Sequence, residues 1–294
     1  MLKALLLSLL TGLIWAAVGA IFGKAPGDRK KLISFFAVYS VIYCFSSLLL
    51  IPAQKTGWGE MMKLAAVMIP ESAADLTGFW LLKKVMDSGP QSIAWAGIQS
   101  AMILPFLGGM FLPGVHTTWF GWTGVLFMLI GLALLAKGKK STAKEKAAGE
   151  KRFWLILGCA FLMTGTAQFL RLLPNYMSLS PAVLGWRITL GAFVALITWN
   201  GIAGMTAGYD LKGIWKTALL YGVVVLCGQY TFYLAADAAA KCGWSSAVYP
   251  AAVGTCILLF SVYRVFFKKE KLSLHGWLGI LFIICGIAGL SAKK

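Results

Sequence analysis

The sequence predicts an all-α membrane protein in which ten transmembrane helices form two inverted five-helix repeats. Of the 294 residues, 59% are hydrophobic and only 13% are charged, whereas a soluble domain carries roughly 45–50% apolar and about 25% charged residues. Long runs without any charge, such as 88–135, are separated by short basic segments. A pattern of glycine and aromatic residues also occurs twice, once in each half of the chain.

The apolar runs define the ten predicted spans. About 20 apolar residues are needed to cross ~30 Å of hydrocarbon, and these runs are too long for barrel strands. Because backbone polar groups in lipid must be satisfied within their own segment, we expect the runs to be helices. The predicted spans are 4–22, 32–52, 61–82, 89–112, 119–137, 153–173, 181–203, 213–236, 243–266 and 274–291.

The fifth and tenth predicted spans share the pattern GWxGxLFxxxG, which begins at Gly121 and again at Gly276, 155 residues later. This agreement indicates an internal duplication. Because each copy has an odd number of spans, the second copy is expected to be inverted, as in many transporters whose binding site lies near the membrane midplane. The predicted domains are a first repeat at 1–137, a basic cytoplasmic linker at 138–152 and a second repeat at 153–294.

The distribution of basic residues predicts an orientation. The net charge is +17, and lysine and arginine concentrate in the loops after the odd-numbered spans, as expected for cytoplasmic loops that face anionic lipid. These loops hold 18 basic residues, Lys83 and Lys84 among them, against six on the opposite side. We therefore expect both termini outside and a location in a bacterial cytoplasmic (inner) membrane. Charge placed between apolar runs argues against nucleic-acid binding.

Two carboxylates lie in the middle of the third predicted span. Glu71 and Asp75 are four residues apart and therefore share one face of a helix, and ionisable groups inside a span are costly enough to suggest a function. The functional interpretation is proton coupling or substrate binding. The alternative is a structural pair satisfied by an arginine or a helix end. Pro70 is expected to loosen the helix beside them.

The sixth predicted span carries a polar stripe of Thr164, Gln168, Arg171 and Asn175 at steps of four, three and four residues. Two interpretations of Arg171 stay open: it neutralises Glu71 or Asp75 or binds an anionic substrate, or it extends to the membrane interface, as long basic side chains do near span ends. For Arg187, in the seventh span, we expect the interfacial position.

Further candidates lie in the eighth, fourth and ninth spans. Gln229, Tyr233 and Asp237 are spaced by four residues in the eighth span, and Asp237 is expected to be half solvated near its outer end. Trp95 and Gln99 share a face of the fourth span. A shift of 154 residues places Trp95 on Tyr249, so the two aromatic rings are expected either to sandwich a substrate or to pack as interfacial aromatics.

Metal, nucleotide and enzyme sites are not expected. The six cysteines show no CxxC spacing and the two histidines, His116 and His275, fall at loop positions. The sequence contains no GxxxxGK[ST] loop, no HExxH motif and no serine–histidine–aspartate arrangement. We therefore predict no cofactor and no enzymatic activity.

The ten spans, the five-plus-five duplication and the GWxGxLFxxxG pattern resemble the drug/metabolite transporter superfamily, whose members are ten-span EamA-like transporters. Three further segments resemble the L-rhamnose–proton symporter branch: the basic stretch 28–31, Leu50-Ile51-Pro52, and 262–272. The resemblance implies a central cavity lined by spans 1, 3, 4, 6, 8 and 9 and opened by alternating access. Glu71 and Asp75 are outside any family signature, so their role depends on the residues alone.

The sequence therefore predicts a proton-coupled secondary transporter of a small polar metabolite. A sugar is the first choice, because aromatic faces and amides suit hydroxylated rings. Glu71 or Asp75 is expected to carry the proton. The predicted substrate-binding residues are Trp95, Gln99, Gln168, Arg171, Gln229, Tyr233 and Tyr249.

The alternatives differ in substrate or in class. A cationic amine also suits carboxylates and aromatic faces, and amino acids and nucleosides remain open. A membrane scaffold or lipid-handling protein, with a closed and dry interior, is the alternative class. The expected partners are a small-molecule substrate, protons or another coupling ion and the lipid bilayer, with a homodimer as an open alternative.

Overall fold

The structure is a computed structural model that describes residues 2–51, 54, 56–109, 119–138, 146–206, 208–240 and 245–291. Within these ranges every regular element is a helix. The α-helices are α1 (Leu2–Phe22), α2 (Arg29–Leu48), α3 (Trp58–Ser88), α4 (Gln91–Gln99), α5 (Ile103–Gly109), α6 (Trp119–Gly138), α7 (Lys146–Leu172), α8 (Pro181–Leu184), α9 (Arg187–Met205), α10 (Trp215–Ala240), α11 (Ser245–Val262) and α12 (Leu274–Ser291). A 3-10 turn, Leu173–Tyr176, follows α7, and a π-helical turn, Tyr263–Phe267, follows α11.

The predicted all-helical class is confirmed for the described residues, and apolar helices fall where the apolar runs predicted them. Six are long and apolar enough to cross a membrane: Leu2–Phe22, Arg29–Leu48, Lys151–Leu172, Pro181–Met205, Trp215–Ala239 and Val248–Phe267. Two shorter apolar helices, Trp119–Leu135 and Leu274–Gly289, coincide with the fifth and tenth predicted spans. Large apolar side chains such as Leu13, Leu126 and Ile197 are exposed, as expected for helices that face lipid rather than water.

The fourth predicted span, 89–112, is not one continuous helix. It consists of α4, a 3-10 turn at Ser100–Met102 and α5, and 110–118, which include His116, lie outside the described residues. Pro105 accounts for the interruption, because it has no N–H to donate to the carbonyl of Ala101 four residues earlier. The backbone therefore tightens into a 3-10 turn at this point.

α3 is longer than the third predicted span and continues through Pro70 without a break. Lys83 and Lys84 were predicted to lie in the following loop, and this prediction is wrong, because both belong to the last turns of α3. Lys83 is 2% exposed, and its ammonium pairs with the carboxylate of Asp87 four residues later. This pair neutralises a buried lysine and supports the extra helical turns.

The predicted linker, 138–152, is partly helical. α7 begins at Lys146, so the second half of that segment forms the first turns of a long helix, and 139–145 lie outside the described residues. The end of α3 and the start of α4 are separated by Gly89 and Pro90, where proline at the N-cap allows a new helix to begin.

α6 and α12, which carry the repeated glycine pattern, pack against each other. A methyl group on Gly131 would lie 2.7 Å from the carbonyl oxygen of Gly279, and one on Gly286 would lie 2.6 Å from the carbonyl oxygen of Gly124. Only glycine permits such an approach of two backbones. Gly124 precedes Gly131 in α6, whereas its partner Gly286 follows Gly279 in α12. Residue numbers rise along one helix as they fall along the other, so the two helices run antiparallel.

A shift of 155 residues exchanges these two contacts. It moves Gly131 onto Gly286 and Gly124 onto Gly279, so the contact between Gly131 and Gly279 becomes the contact between Gly286 and Gly124. Other helix contacts also occur in matched pairs, one from each half of the chain. α3 packs on α7 as α10 packs on α1, and α2 packs on α10 as α9 packs on α3. α2 and α9 pack on each other.

Aromatic rings pack together near the end of the bundle where α1 and α3 finish, which we call the Ser88 end. Phe22, Phe36 and Tyr221 are almost fully buried. The ring centroid of Phe22 lies 5.9 Å from that of Phe36 and 5.6 Å from that of Tyr221. The ring of Phe36 stacks on Trp199 with the centroids 4.4 Å apart. These side chains come from α1, α2, α9 and α10, so their packing connects four helices near the Ser88 end.

Candidate functional site: a central charged cavity

A cavity of about 80 Å³ lies in the interior of the bundle, which is enough space for several water molecules. Side chains from α1, α2, α3, α4, α7, α10 and α11 line it. The polar and charged members are Tyr39, Asp75, Gln99, Thr164, Gln168, Arg171, Tyr221, Gln229 and Tyr249, and the apolar members include Trp15, Phe36, Phe79 and Trp95. We call this space the central cavity.

A second cavity of about 50 Å³ adjoins the first. Both are lined by Asp75, Arg171 and Gln229, so these side chains form the boundary between them. The second cavity extends towards the opposite end of the bundle, where α3 begins, and its further lining includes Tyr43, Glu71, Ser72, Arg187 and Tyr233. We call it the outer cavity, after the predicted orientation of α3.

Arg171 pairs with the carboxylates of α3, which decides between the two interpretations of this residue. Its Nε donates to Oε1 of Glu71 at 2.7 Å, and its Nη2 donates to the same oxygen. Nη2 also lies 3.5 Å from Oδ1 of Asp75. Arg171 is 9% exposed and Glu71 only 3%, so this is a buried ion pair and not an interfacial arginine.

The two carboxylates differ in how fully they are satisfied. Glu71 accepts hydrogen bonds from Arg171, and the hydroxyl of Ser72 donates to its second oxygen at 3.0 Å. The side chain of Asp75 is 24% exposed and meets Arg171 only at 3.5 Å. Asp75 also lines both cavities, whereas Glu71 lines only the outer one. Asp75 is therefore the carboxylate that a solute or a proton in either cavity can reach.

The predicted interfacial position of Arg187 is wrong. Arg187 is 7% exposed and lines the outer cavity. Its Nε donates to the carbonyl oxygen of Leu184 at 2.7 Å, and its guanidinium lies 4.2 Å from the ring centroid of Tyr233. A hydrogen bond and a cation–π contact together stabilise the buried charge. The short α8, one turn before Arg187, supplies the carbonyl that turns the side chain inward.

Three residues that line the central cavity each carry a fully buried oxygen without a hydrogen-bond partner among the described residues: Thr164 Oγ1, Gln168 Oε1 and Tyr249 Oη. Buried polar groups are nearly always hydrogen-bonded, because leaving one unpaired costs about 1–3 kcal/mol. Because these oxygens have almost no accessible surface, a solute in the cavity would reach them only after a side-chain movement.

Trp95 and Tyr249, the two aromatic residues predicted to bind substrate as a pair, contribute differently to the wall of the central cavity. Trp95 lines the central cavity but is 1% exposed. Its indole N–H donates to Sγ of Cys256 at 3.2 Å, and its ring packs 5.2 Å from Phe260. Tyr249 is partly exposed, and its ring lies 4.6 Å from that of Phe232. Trp95 therefore adds little accessible surface to the cavity.

Trp15 in α1 was missed by the sequence analysis. It is partly exposed, lines the central cavity and stacks on Phe232 with the centroids 5.4 Å apart. Its position on the helix could have indicated this role, because Thr11 and Phe22, four residues before and seven after, are both buried. The twelve tryptophans of the sequence make any single one a weak signal.

The remaining predicted residues are placed as follows. Gln99, Gln168 and Gln229 line the central cavity, and Tyr233 lines the outer one. Asp237 is exposed near the end of α10 and belongs to neither. No group of three or more histidine, cysteine, aspartate or glutamate side chains suited to a metal ion occurs in the part of the chain that the structure describes.

Comparisons with known proteins bear on the fold alone. No protein family and no curated protein matches the chain. One solved structure, described only as a crystal structure of a protein, superposes with a TM-score of 0.61 and covers 98% of this chain and 96% of that chain, at 15% sequence identity. The helical arrangement is therefore shared over almost the whole of both chains.

Proposed function

We propose that this protein is a secondary active transporter of a small polar metabolite, with a sugar as the first choice of substrate. The observation that carries the proposal is the central cavity, where amide side chains from α4, α7 and α10 line the same space as Asp75 and Arg171. A protein that only needed a stable interior would gain nothing from a cavity lined by Gln99, Gln168 and Gln229. A substrate with several hydroxyl groups would pair with such amide groups.

We further propose that the chain has ten spans in two inverted five-helix repeats. The exchange of the Gly131–Gly279 and Gly124–Gly286 contacts under a shift of 155 residues supports this arrangement. The matching neighbours of α3 and α10 support it as well. In such a protein the binding site is expected between the repeats, where alternating movement of the two halves exposes it to each side.

Proton coupling is assigned to Asp75 rather than to Glu71. Glu71 is held by two nitrogens of Arg171 and by Ser72, so protonating it would break a buried ion pair. Asp75 lines both cavities and has a weaker contact with Arg171. A proton can bind to Asp75 while Arg171 stays paired with Glu71.

The alternative of a closed, non-transporting scaffold predicts a dry and fully satisfied interior. The two cavities, both of which are lined by Asp75 and Arg171 and one of which reaches Glu71, argue against it. The membrane assignment within this proposal is the bacterial cytoplasmic membrane with both termini outside, supported by the bias of basic residues in the sequence. Membership of the drug/metabolite transporter superfamily is part of the same proposal.

A binding screen followed by an uptake assay tests the proposal. Purified protein is melted in the presence of sugars, amines, amino acids and nucleosides, because a ligand that binds the folded state raises the melting temperature. Solutes that bind are then offered to proteoliposomes with an imposed proton gradient. We expect uptake that depends on the gradient.

The variant for this assay is Asp75→Asn, and its matched control is Asp237→Asn, which makes the same change at an exposed position outside both cavities. We expect the first variant to lose gradient-driven uptake and the second to keep it. Full gradient dependence in Asp75→Asn would remove Asp75 from the coupling role. A wild-type protein that binds no solute in the screen would overturn the transport proposal itself.

A further inference from the structure

Trp15 belongs to a three-ring cluster, two of whose rings, Trp15 and Tyr249, line the central cavity. The cluster consists of Trp15 from α1, Phe232 from α10 and Tyr249 from α11. The ring centroid of Trp15 lies 5.4 Å from that of Phe232, with the planes 28° apart, and 6.2 Å from that of Tyr249. Phe232 is 3% exposed. Trp15 is therefore backed by a buried ring, while its own open surface belongs to the cavity wall.

The Trp15 ring is also held in place along one edge. A methyl group on Gly228 would lie 2.9 Å from Cδ1 and 3.0 Å from Nε1 of Trp15, so α10 approaches the indole closely at this point. The hydroxyl groups of Thr11 and Thr231, 3.2 Å apart, join the same two helices next to Trp15. The ring is thus a rigid platform, which loses little conformational entropy when a ligand binds to it.

The charges around the two cavities favour a substrate without net charge. Glu71 and Asp75 are balanced by Arg171 and Arg187, all four of which line the outer cavity. A charged solute would add an uncompensated charge to a buried and already balanced site, which is costly. The amide side chains that line the central cavity, Gln99, Gln168 and Gln229, are neutral, and these suit hydroxyl groups.

We infer that Trp15 is the residue that determines specificity for a ring-shaped, uncharged polyhydroxy solute. The flat face of such a ring stacks on Trp15, and its hydroxyl groups pair with the amide side chains that line the central cavity, Gln99, Gln168 and Gln229. The open-chain alcohol of the same sugar keeps the hydroxyl groups but lacks the flat face and cannot use the platform. This inference rests on the proposed transport function and identifies the substrate class of the same cavity.

The test compares each cyclic sugar with its own open-chain alcohol. Binding of D-glucose and D-sorbitol, D-galactose and galactitol, and L-rhamnose and L-rhamnitol is measured by isothermal titration of the purified protein, with choline as a cationic probe. We expect the wild type to bind at least one sugar up to about tenfold more tightly than its alcohol, as an added aromatic face provides, and not to bind choline.

Trp15→Leu removes the aromatic face and keeps an apolar side chain. We expect it to weaken binding of the preferred sugar about tenfold while leaving binding of the alcohol within about twofold, so that the ring preference disappears. Trp15→Phe, which keeps a smaller face, is expected to retain part of the preference. Trp122→Leu is the matched control, because Trp122 is 47% exposed and lines neither cavity.

The outcomes separate this inference from the transport proposal. If the wild type binds solutes but shows no ring preference, or binds choline instead, transport stands and the role of Trp15 is wrong. Equal weakening of sugar and alcohol in Trp15→Leu would show a purely structural role. If Trp15→Leu does not fold, an unchanged preference in Trp15→Phe would equally overturn the inference. Absence of any bound solute in the wider screen contradicts the transport proposal.

Discussion

The Glu71–Arg171 pair should show strong energetic coupling, with unequal costs for the two single substitutions. We consider three variants: Glu71→Gln, Arg171→Gln and the double variant. Removing one partner of a buried ion pair typically costs about 3–5 kcal/mol, because the other charge is left buried and unpaired. Both side chains are less than a tenth exposed, so this range applies here.

The two single substitutions are not equivalent. After Glu71→Gln, Arg171 still has Asp75 at 3.5 Å, and an ion pair at about 4 Å is worth up to about 4 kcal/mol at an effective dielectric constant near 20. The cost should therefore fall to about 1–3 kcal/mol. After Arg171→Gln, two carboxylates on one helix face remain without their cation, and we expect the full cost of about 3–5 kcal/mol.

The double variant gives the decisive result. With the arginine absent, Glu71→Gln removes one of two repelling carboxylates, so it should stabilise the Arg171→Gln protein instead of destabilising it. The sign of the effect of Glu71→Gln therefore reverses between the two backgrounds, and the coupling energy should exceed the cost of about 1–3 kcal/mol that Glu71→Gln has in the wild type. Reversible unfolding in mixed detergent micelles measures all four proteins.

Glu60→Gln provides the control, since Glu60 lies on the same helix but three turns away from Glu71 and interacts with Ser180. Its effect should be the same with and without Arg171, because distant substitutions are usually additive within about 0.5 kcal/mol. If Glu71→Gln destabilises the protein equally in both backgrounds, Arg171 does not neutralise Glu71, and the argument for Asp75 as the proton carrier fails with it.

Three further predictions concern packing and the two ends of the bundle. Gly131→Ala places a methyl group 2.7 Å from a backbone carbonyl of α12 and should lower the stability in a thermal melt by about 1–3 kcal/mol. In the control Gly201→Ala no atom lies within 4 Å of the added methyl group, so the change should be neutral or stabilising. Equal losses in the two variants would contradict the packing account. The Ser180 hydroxyl and N–H both donate to Glu60 and lower the pKa of that carboxyl. The stability that these hydrogen bonds provide is therefore fully present above the ordinary glutamate pKa of about 4.3. It is lost as the pH falls through the lowered pKa of the folded state. Ser180→Ala should therefore melt earlier than wild type at neutral pH, and the difference should vanish in acid; a constant difference at every pH would contradict it. Glu270 accepts from the N–H of Ser92 at 3.1 Å and from Arg264 Nε at 2.8 Å, so Glu270→Gln should cost about 1.5–3 kcal/mol in the mixed-micelle assay, and no loss would show that this contact at the Ser88 end is not stabilising.

Local chemistry allowed much of the fold to be predicted. Hydropathy located the apolar helices because crossing hydrocarbon requires a length and composition that a single segment shows by itself. The spacing of Glu71 and Asp75 placed both on one helix face, and both line the outer cavity. The spacing of Thr164, Gln168 and Arg171 did the same for the central cavity, since helix periodicity needs no tertiary information. The repeated glycines were visible in sequence, and their packing between α6 and α12 is what a small-residue pattern predicts.

Long side chains were predicted least well. The sequence left Arg171 open between an inward and an outward position and predicted an interfacial position for Arg187. Both turn inward, because Glu71 meets the first and a carbonyl of α8 together with Tyr233 meets the second. Lys83 was predicted to be a loop residue, yet it is buried against Asp87. A flexible cation can extend several ångströms in either direction, so its position depends on which partners the packed helices bring within reach.

Sequence by itself therefore determined the helical class, the positions of the apolar helices and the polar faces that were candidates for a site. Tertiary structure alone decided which of those faces meet, that Asp75 and not Glu71 is the accessible carboxylate, and that Trp15 lines the cavity. The physical reason is the range of each interaction. Periodicity and hydropathy act along one helix, whereas an ion pair, an unpartnered hydroxyl group and a cavity exist only between helices that are far apart in the chain.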